Sequence, residues 1–210
     1  MKIRAASPLL LAALLAASLP ARADGGEVGL LFDRLGGKAQ TVAAGQQVAA
    51  GNYDAVSPTG LGFRAGLNLL DRKVLSLGLN ATYHPRAEQD LKLGGTTLGK
   101  YGNEYAALGA GLDWKFLLNL HAGVEIRRER LSADLRPASG TGVLSGSVSS
   151  TRPWMTFGVG FSVPLPLISP FVRLEVATPT TRNDRTGTPD DLREALAPQL
   201  QVAVYAGIRF

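Results

Sequence analysis

The chain contains stretches in which apolar residues alternate strictly with polar or small ones. The clearest are 60–70 and 74–84, where leucine, phenylalanine, alanine or tyrosine occupies every second position. A period of two places the two sets of side chains on opposite faces of a β-strand. Eight such stretches follow one another along the chain, and the pattern therefore predicts an all-β protein with eight strands: 26–34, 60–70, 74–84, 104–115, 118–129, 154–163, 170–178 and 201–210.

The segments between these predicted strands alternate in length without exception. Segments 71–73 and 116–117 hold a few residues each, whereas segments such as 85–103 and 130–153 hold about 20 or more. Transmembrane barrels sort their connections in this way, with short periplasmic turns and long outer loops. We therefore predict an eight-stranded antiparallel up-and-down transmembrane β-barrel. No run of 18 apolar residues follows residue 23, so a spanning helix is not predicted.

The first 23 residues have the organisation of a secretory signal peptide. Lys2 and Arg4 precede an apolar stretch, and Ala21-Arg22-Ala23 supplies the small-x-small pattern of a cleavage site. An N-terminal membrane anchor is the alternative, but the apolar stretch is short for a spanning helix. We expect residues 1–23 to be cleaved and residues 24–210 to form the barrel domain.

The last ten residues, QVAVYAGIRF, also alternate and end on an aromatic side chain. One face of this strand carries Val202, Val204, Ala206, Ile208 and Phe210. This terminus resembles the C-terminal assembly signal of bacterial outer-membrane β-barrels, of the small OmpA transmembrane-domain or OmpX type. The resemblance implies a location in the outer membrane of a Gram-negative-type bacterium. It also implies two partners, the barrel assembly machinery during insertion and outer-membrane lipid, including lipopolysaccharide.

Composition excludes several other classes of function. The chain has 22 basic and 17 acidic residues, and residues 1–23 hold three of the basic ones. No basic stripe with interleaved aromatics is present, so no nucleic-acid partner is expected. Without cysteine the chain has neither disulfides nor thiolate metal ligands. With only two histidines and no carboxylate cluster at ligand spacing, we expect neither a metal site nor a cofactor.

The polar faces of the predicted strands carry charges of both signs. An eight-stranded barrel is only wide enough for its own side chains, and isolated buried charges are costly. We therefore predict a lumen plugged by an ion-pair network; the alternative is that these charges lie near the barrel ends and meet water. The predicted network comprises Arg64, Glu125, Arg127, Arg173 and Glu175. Further lumen polar residues are Asn68, Asn80, Tyr105, Tyr205 and His121, with His121 beside Glu125, while His84 is expected at the rim.

Aromatic residues and two loop segments complete the pattern. Interfaces favour aromatic side chains, and we expect Trp114 and Phe116 at the short-turn end and Tyr83 and Tyr101 at the outer rim. Segment 188–198 begins with helix-start signals, which predict a short helix in the last outer loop. Segment 139–150 is rich in serine and glycine, and the preferred interpretation is a solvated loop, with a strand extension as the alternative.

The expected function is a structural or surface-interaction role, with outer loops that bind an extracellular partner. A narrow channel or transporter is the alternative, because inward glycines either leave space for a solute or serve close packing. A lipid-A-modifying enzyme is less favoured, since the His-x-Ser spacing of the lipid-A deacylase is absent. We therefore predict a protein that is not an enzyme. A soluble lipocalin-type barrel is also disfavoured, because it would have an apolar interior and unsorted loops.

Overall fold

The computed structural model describes residues 25–37, 40–42, 51–135, 144–181 and 196–210. The predicted signal peptide and most of the predicted helix in 188–198 lie outside these residues. The described residues form ten strands: β1 (Gly26–Gly36), β2 (Gln40–Val42), β3 (Gly51–Tyr53), β4 (Thr59–Asp71), β5 (Leu75–Leu93), β6 (Thr96–Lys115), β7 (Asn119–Leu135), β8 (Leu144–Ser162), β9 (Ser169–Pro179) and β10 (Leu200–Arg209).

Eight of these strands form a closed antiparallel ring. The hydrogen-bonded order is β5-β4-β1-β10-β9-β8-β7-β6, and β6 pairs back onto β5. Closure runs along β1 and β10, and at its lower end Gly26 and Phe210 exchange backbone hydrogen bonds of 2.8 and 3.0 Å. A ring pairs the backbone groups that an open sheet would leave bare at its edges. The predicted eight-stranded antiparallel barrel is confirmed.

The ring is much taller on one side than on the other. Strands β5 to β8 have 17 to 20 residues, whereas β1, β4, β9 and β10 have 10 to 13. Because the long strands are neighbours in the ring, they form one continuous tall wall, and the short strands form the opposite short wall. At about 3.3 Å per residue, the additional residues lift the tall wall by roughly 20 Å.

Two segments predicted as long loops, 85–103 and 130–153, therefore prove to be strand over most of their described residues. All of 85–103 belongs to β5, β6 and their turn at Gly94-Gly95, where both φ angles are positive. Segment 130–135 continues β7 and segment 144–153 begins β8, so the preferred interpretation of 139–150 as a loop is wrong for 144–150. At the other end of the barrel the connections are short, as predicted: 72–74, 116–118 and 163–168. A small hairpin of β2 and β3 joins the top of β5 through Tyr53 and Leu93.

The exterior of the ring has two zones. The lower zone, here called the membrane section, exposes large apolar side chains, such as Ile126 at 54% and Leu108 at 68%. Above it, in the upper section of the tall wall, the outward residues are polar: Arg86, Glu88, Asp90, Lys92, Lys100, Arg128, Arg130, Ser147 and Ser149. A closed barrel with an apolar exterior band is built to face lipid. No helix within the described ranges is long and apolar enough to cross a membrane.

Candidate functional site

The lower lumen is organised around Arg173. Its Nε lies 2.7 Å from Glu175 Oε1, and its Nη1 lies 2.9 Å from Asp113 Oδ1. A third carboxylate, that of Glu27, lies 3.8 Å from its Nη2. Arg209 contacts two of these carboxylates: its Nε lies 3.0 Å from Glu27 Oε2 and its Nη2 lies 3.5 Å from Asp113 Oδ2. Two arginines and three carboxylates thus form one connected group of ion pairs at the short-turn end.

One ion pair crosses the lumen just above this group. Arg64 Nη1 lies 2.8 and 2.7 Å from the two carboxylate oxygens of Glu175, and its Nε donates to Thr82 Oγ1 at 2.9 Å. Arg64 belongs to β4 and Glu175 to β9, which are separated in the ring by β1 and β10. The Tyr205 ring lies under both arginines, 4.9 Å from Arg64 Cζ and 5.3 Å from Arg173 Cζ. The lumen at this level is filled by side chains of strands that are not neighbours in the ring.

Higher in the lumen, the Asp33 carboxylate contacts three polar side chains. Its Oδ1 lies 2.9 Å from His84 Nε2, its Oδ2 accepts the Tyr105 hydroxyl at 3.4 Å, and Gln201 donates to the same oxygen. The His84 ring stacks on Tyr105, with centroids 5.1 Å apart. His84 is fully buried, so its predicted place at the rim is wrong. The chain does not turn at Pro85 but continues through a register irregularity directly after His84.

Arg127 links this group to the tall wall. It forms an ion pair with Glu125, two positions away on the same face of β7, and donates to Gln201. Its guanidinium lies over two aromatic rings, with Cζ 4.6 Å from the centre of Tyr105 and 4.0 Å from that of Trp154. An arginine with its charge paired and two aromatic rings against it is well suited to a buried position.

Two further charges extend the polar interior upward. Arg152 Nε lies 2.5 Å from Glu129 Oε2, and its Nη2 donates to the Pro198 carbonyl at 2.8 Å. The second contact ties β8 to the segment that precedes β10. Periodicity does not predict this pair, because Glu129 ends a predicted strand and Arg152 falls in a predicted loop.

His121 lies in the lumen, but beside a different acid from the one predicted. Its Nδ1 is 2.9 Å from Asp113 Oδ1, and its Nε2 is 3.5 Å from Thr156 Oγ1. Asp113 stands directly opposite His121 in the β6–β7 register, whereas Glu125 pairs with Arg127. The predicted neighbour Glu125 is therefore replaced by a cross-strand partner.

Inward glycines of the ring face side chains of their neighbours. A Cβ built on Gly111 would lie 2.5 Å from His121 Cε1, and one on Gly123 would lie 2.7 Å from Thr156 Oγ1. The spaces over Gly109 and Gly78 are taken in the same way by the half-buried Asn80 and Asn68. These glycines serve close packing of lumen side chains.

The upper section has an apolar interior, here called the cap cluster. It consists of Tyr53, Val56, Leu91, Tyr101, Leu131, Leu196 and Ala197, none of which is more than 1% exposed. The tall wall supplies Leu91, Tyr101 and Leu131, and connections from the short wall supply the others. One of these connections is tied to β5 by the bond from Asp54 N–H to the Lys92 carbonyl, 3.0 Å.

Tyr101 is therefore not an interface residue, and its predicted place at the outer rim is wrong. It occupies an inward position of β6 and is completely buried in the cap cluster. Burial raises the pKa of its phenol, so the ring brings no charge into the cluster. Alternation carried upward from the inward Tyr105 would have assigned Tyr101 to the interior.

The other predicted interface aromatics face outward. Trp114 and Phe116 are exposed at the short-turn end, where Phe210 also lies. Tyr83, at the upper end of the membrane section, is half-buried and donates to Glu104 Oε1 at 3.1 Å. On β10 the residues of the predicted assembly signal share the outer face: Val202, Val204, Ala206, Ile208 and Phe210.

The interior charges nearly balance. Within the described ranges we find five lumen arginines, six carboxylates and two histidines: Arg64, Arg127, Arg152, Arg173, Arg209, Glu27, Asp33, Asp113, Glu125, Glu129, Glu175, His84 and His121. The five residues of the predicted network all belong to this set. Across the same ranges, no group of three or more histidine, cysteine, aspartate or glutamate residues is arranged to hold a metal ion.

Comparison with known proteins returns outer-membrane and surface proteins at low similarity. Ail, the attachment invasion locus protein of Yersinia pestis, is 11% identical, with a TM-score of 0.46 over 89% of this chain and 97% of Ail. Neisserial surface protein A is 12% identical, with 0.43 over 88% and 94%. A major outer membrane protein from Thermus thermophilus is 15% identical, with 0.48 over 87% and 98%. No protein-family model and no curated protein sequence matches the chain.

These similarities are too low to carry an argument about function. The closed ring and the exterior apolar band of this chain define its environment directly. Closed antiparallel barrels of this kind cross bacterial outer membranes. The chain is a small eight-stranded outer-membrane β-barrel.

Proposed function

We propose that the protein is a non-conducting outer-membrane barrel with a structural and surface-interaction role. The observation that carries this proposal is that lumen side chains fill the barrel at successive levels. The Arg64–Glu175 pair crosses the membrane section, the Asp33 group lies higher, and the cap cluster closes the upper section. A solute path would require all three levels to open.

Opening the lower level would be costly. Separating a buried ion pair leaves uncompensated charges, and removing one partner of such a pair typically costs about 3–5 kcal/mol. Glu175 holds both Arg64 and Arg173, so its displacement would leave two arginines without that carboxylate. The occupied glycine spaces argue in the same direction, because a path along them would need His121 and Thr156 to move away.

The surface role is assigned to the upper section. The tall wall projects beyond the membrane section with a polar exterior, and loops on such a rigid support commonly carry binding functions. We infer that this section presents loops to an extracellular partner. We also propose that residues 1–23 are removed on export and that the assembly machinery engages the outer face of β10 during insertion.

The histidines support a non-enzymatic role. The lipid-A deacylase uses a histidine on the lipid-facing surface, whereas here His84 and His121 point into the lumen against Asp33 and Asp113. We therefore propose that the protein does not modify lipid A.

Single-channel recording in planar bilayers tests the non-conducting lumen. Protein purified from outer membranes, with heat-modifiable gel migration as the folding control, should insert without a stable open state. A porin with an open lumen, inserted in the same bilayer, is the positive control. The variant Arg64→Ala/Glu175→Ala removes one positive and one negative charge from the lower level, while Arg173 keeps Asp113 and Glu27. Because the Asp33 group and the cap cluster remain in place, we expect this variant to stay closed as well. Reproducible conductance steps from the unmodified protein would refute the proposal.

A further inference from the structure

A concavity of about 420 Å³ lies on the outer surface of the tall wall, spanning strands β5 to β8. The side chains that point outward into it are Tyr83, Glu104, Arg128, Arg130, Ser147 and Ser149. Its lining also includes Tyr105 and Glu129, whose buried side chains belong to the lumen groups described above.

The concavity carries two neighbouring arginines. Arg128 and Arg130 are alternate residues of β7, so their Cα atoms are roughly 7 Å apart on one face. Both side chains are exposed, and among the described residues neither guanidinium lies within ion-pair distance of a carboxylate. Glu104 stands opposite Arg130 in the register, but its carboxylate accepts the Tyr83 hydroxyl from β5. The two guanidinium groups are thus available to an external anion.

The height of this pair on the barrel identifies the anion. Directly below it are Ile126 and Leu108, which are 54% and 68% exposed and belong to the apolar exterior of the membrane section. Directly above it the outward residues of β7 are Ser132 and Asp134. The arginines therefore stand at the boundary between lipid tails and water, which is the level of lipid headgroups. Arginine binds phosphate oxygens in bidentate geometry, and serine hydroxyls supply further donors.

We propose that Arg128 and Arg130 bind the phosphorylated headgroup of an outer-leaflet glycolipid of the lipid A class. The acyl chains lie along Leu108 and Ile126, directly beneath the headgroup. Continuity between the arginine pair and this apolar surface favours a lipid phosphate over free phosphate. The proposal is independent of whether the lumen conducts.

The short wall provides a matched control. Arg34 on β1 is also an exposed arginine just above a lipid-facing residue, Phe32, which is 60% exposed. Its neighbours in the register are Thr59 and Val202, so it has no second arginine beside it. A general attraction of anionic lipid to positive charge would involve Arg34 as much as either arginine of the tall-wall pair.

Native mass spectrometry of the detergent-solubilised protein tests the site. The unmodified protein, Arg128→Gln/Arg130→Gln and Arg34→Gln are titrated with bis-phosphorylated lipid A, with dephosphorylated lipid A and with inorganic phosphate. We expect the double variant to bind bis-phosphorylated lipid A at least about tenfold more weakly than the unmodified protein, the effect of losing charged hydrogen bonds to phosphate. Arg34→Gln should bind like the unmodified protein, and dephosphorylated lipid A should bind equally weakly to all three.

Three results would overturn the proposal. Equal binding of the two lipid A forms would show that phosphate is not recognised. Because Arg34→Gln removes one charge and the double variant removes two, a loss of binding free energy in Arg34→Gln of half that in the double variant would show that only overall charge matters. Displacement of the lipid by inorganic phosphate at equimolar concentration would make the concavity a free-phosphate site. All variants are compared only as folded protein, judged by heat-modifiable gel migration. Substitution of these exposed arginines is expected to leave folding unaffected.

Discussion

The membrane section and the upper section of the tall wall have opposite arrangements of polar and apolar faces. In the membrane section the exterior is apolar and the lumen is charged, while in the upper section the exterior is polar and the interior is the cap cluster. The same strands pass through both. On β7 the outer face changes between Ile126 and Arg128, and the inner face changes between Glu129 and Leu131. Pairing between β6 and β7 is unbroken across this level, so on these strands the change of apolar face follows the surrounding medium.

The two interiors are also held together differently. The lumen of the membrane section depends on directional contacts, in which one carboxylate such as Glu175 serves two arginines. The cap cluster depends on apolar contacts shared among seven buried residues. A single substitution should therefore lower the free energy of unfolding more in the charged lumen than in the cap cluster.

The largest expected effect follows from Glu175→Ala. It leaves Arg64 and Arg173 without their shared carboxylate, and we expect a loss of about 3–5 kcal/mol in the free energy of unfolding. Urea unfolding in detergent measures this. The control is Glu88→Gln, which removes an exposed pair with Arg86 and should cost about 0.5 kcal/mol or less. Similar losses in both variants would mean that the lumen pairs are not effectively buried.

Leu131→Ala should lower the free energy of unfolding, measured by urea unfolding in detergent, by about 2–5 kcal/mol, as is usual for a truncated buried leucine. The damage should appear in the upper section, so limited proteolysis should cut the tall wall above the membrane while the barrel itself stays resistant. Leu117→Ala, at a 97% exposed turn position, is the control and should change neither measurement. Collapse of the whole barrel in Leu131→Ala would show that the two sections are one cooperative unit.

Val124→Arg tests where on the barrel the polar exterior ends and the lipid-facing exterior begins. Val124 is 58% exposed between Ala122 and Ile126, and an arginine on a lipid-facing strand near mid-membrane costs about 2–4 kcal/mol. Thr97→Arg, on the exposed end of the tall wall, should be nearly neutral. Unfolding from lipid vesicles by urea distinguishes them. If Val124→Arg were tolerated as well as Thr97→Arg, the membrane would have to lie elsewhere on the barrel.

The smallest of these effects concerns a lumen glycine. Gly111→Ala places a Cβ 2.5 Å from His121 Cε1, and forcing that side chain aside should cost about 1–3 kcal/mol. Gly36→Ala makes only an ordinary contact at 3.6 Å with Leu200 and serves as the control. Urea midpoints in detergent should fall for the first variant alone, and equal midpoints would indicate free space beside Gly111.

Alternation predicted the membrane section well because lipid imposes one constant apolar face there. It failed above Tyr83 because the apolar set moves to the inner face, and a register irregularity after His84 shifts the alternation. The segment RLSADL at 130–135 alternates as clearly as the membrane strands, but with Leu131 inward.

Periodicity also has limits inside the lumen. It predicts which face a residue occupies, but not the residue on another strand that it meets. The Arg64–Glu175 pair joins residues 111 positions apart, and nothing in either strand indicates their common height. His121 met Asp113 rather than Glu125 for the same reason, since cross-strand register decided the contact.

The lumen contacts also fix the cross-section of the barrel. Arg64 and Glu175 connect β4 to β9, Arg173 and Asp113 connect β9 to β6, and Arg209 reaches Asp113 from the opposite side of the ring. Flattening the ring in any of these directions would stretch or compress a contact between charged groups. The lumen ion pairs therefore resist lateral pressure from a crowded membrane, and the diameter of the barrel should stay constant under that pressure.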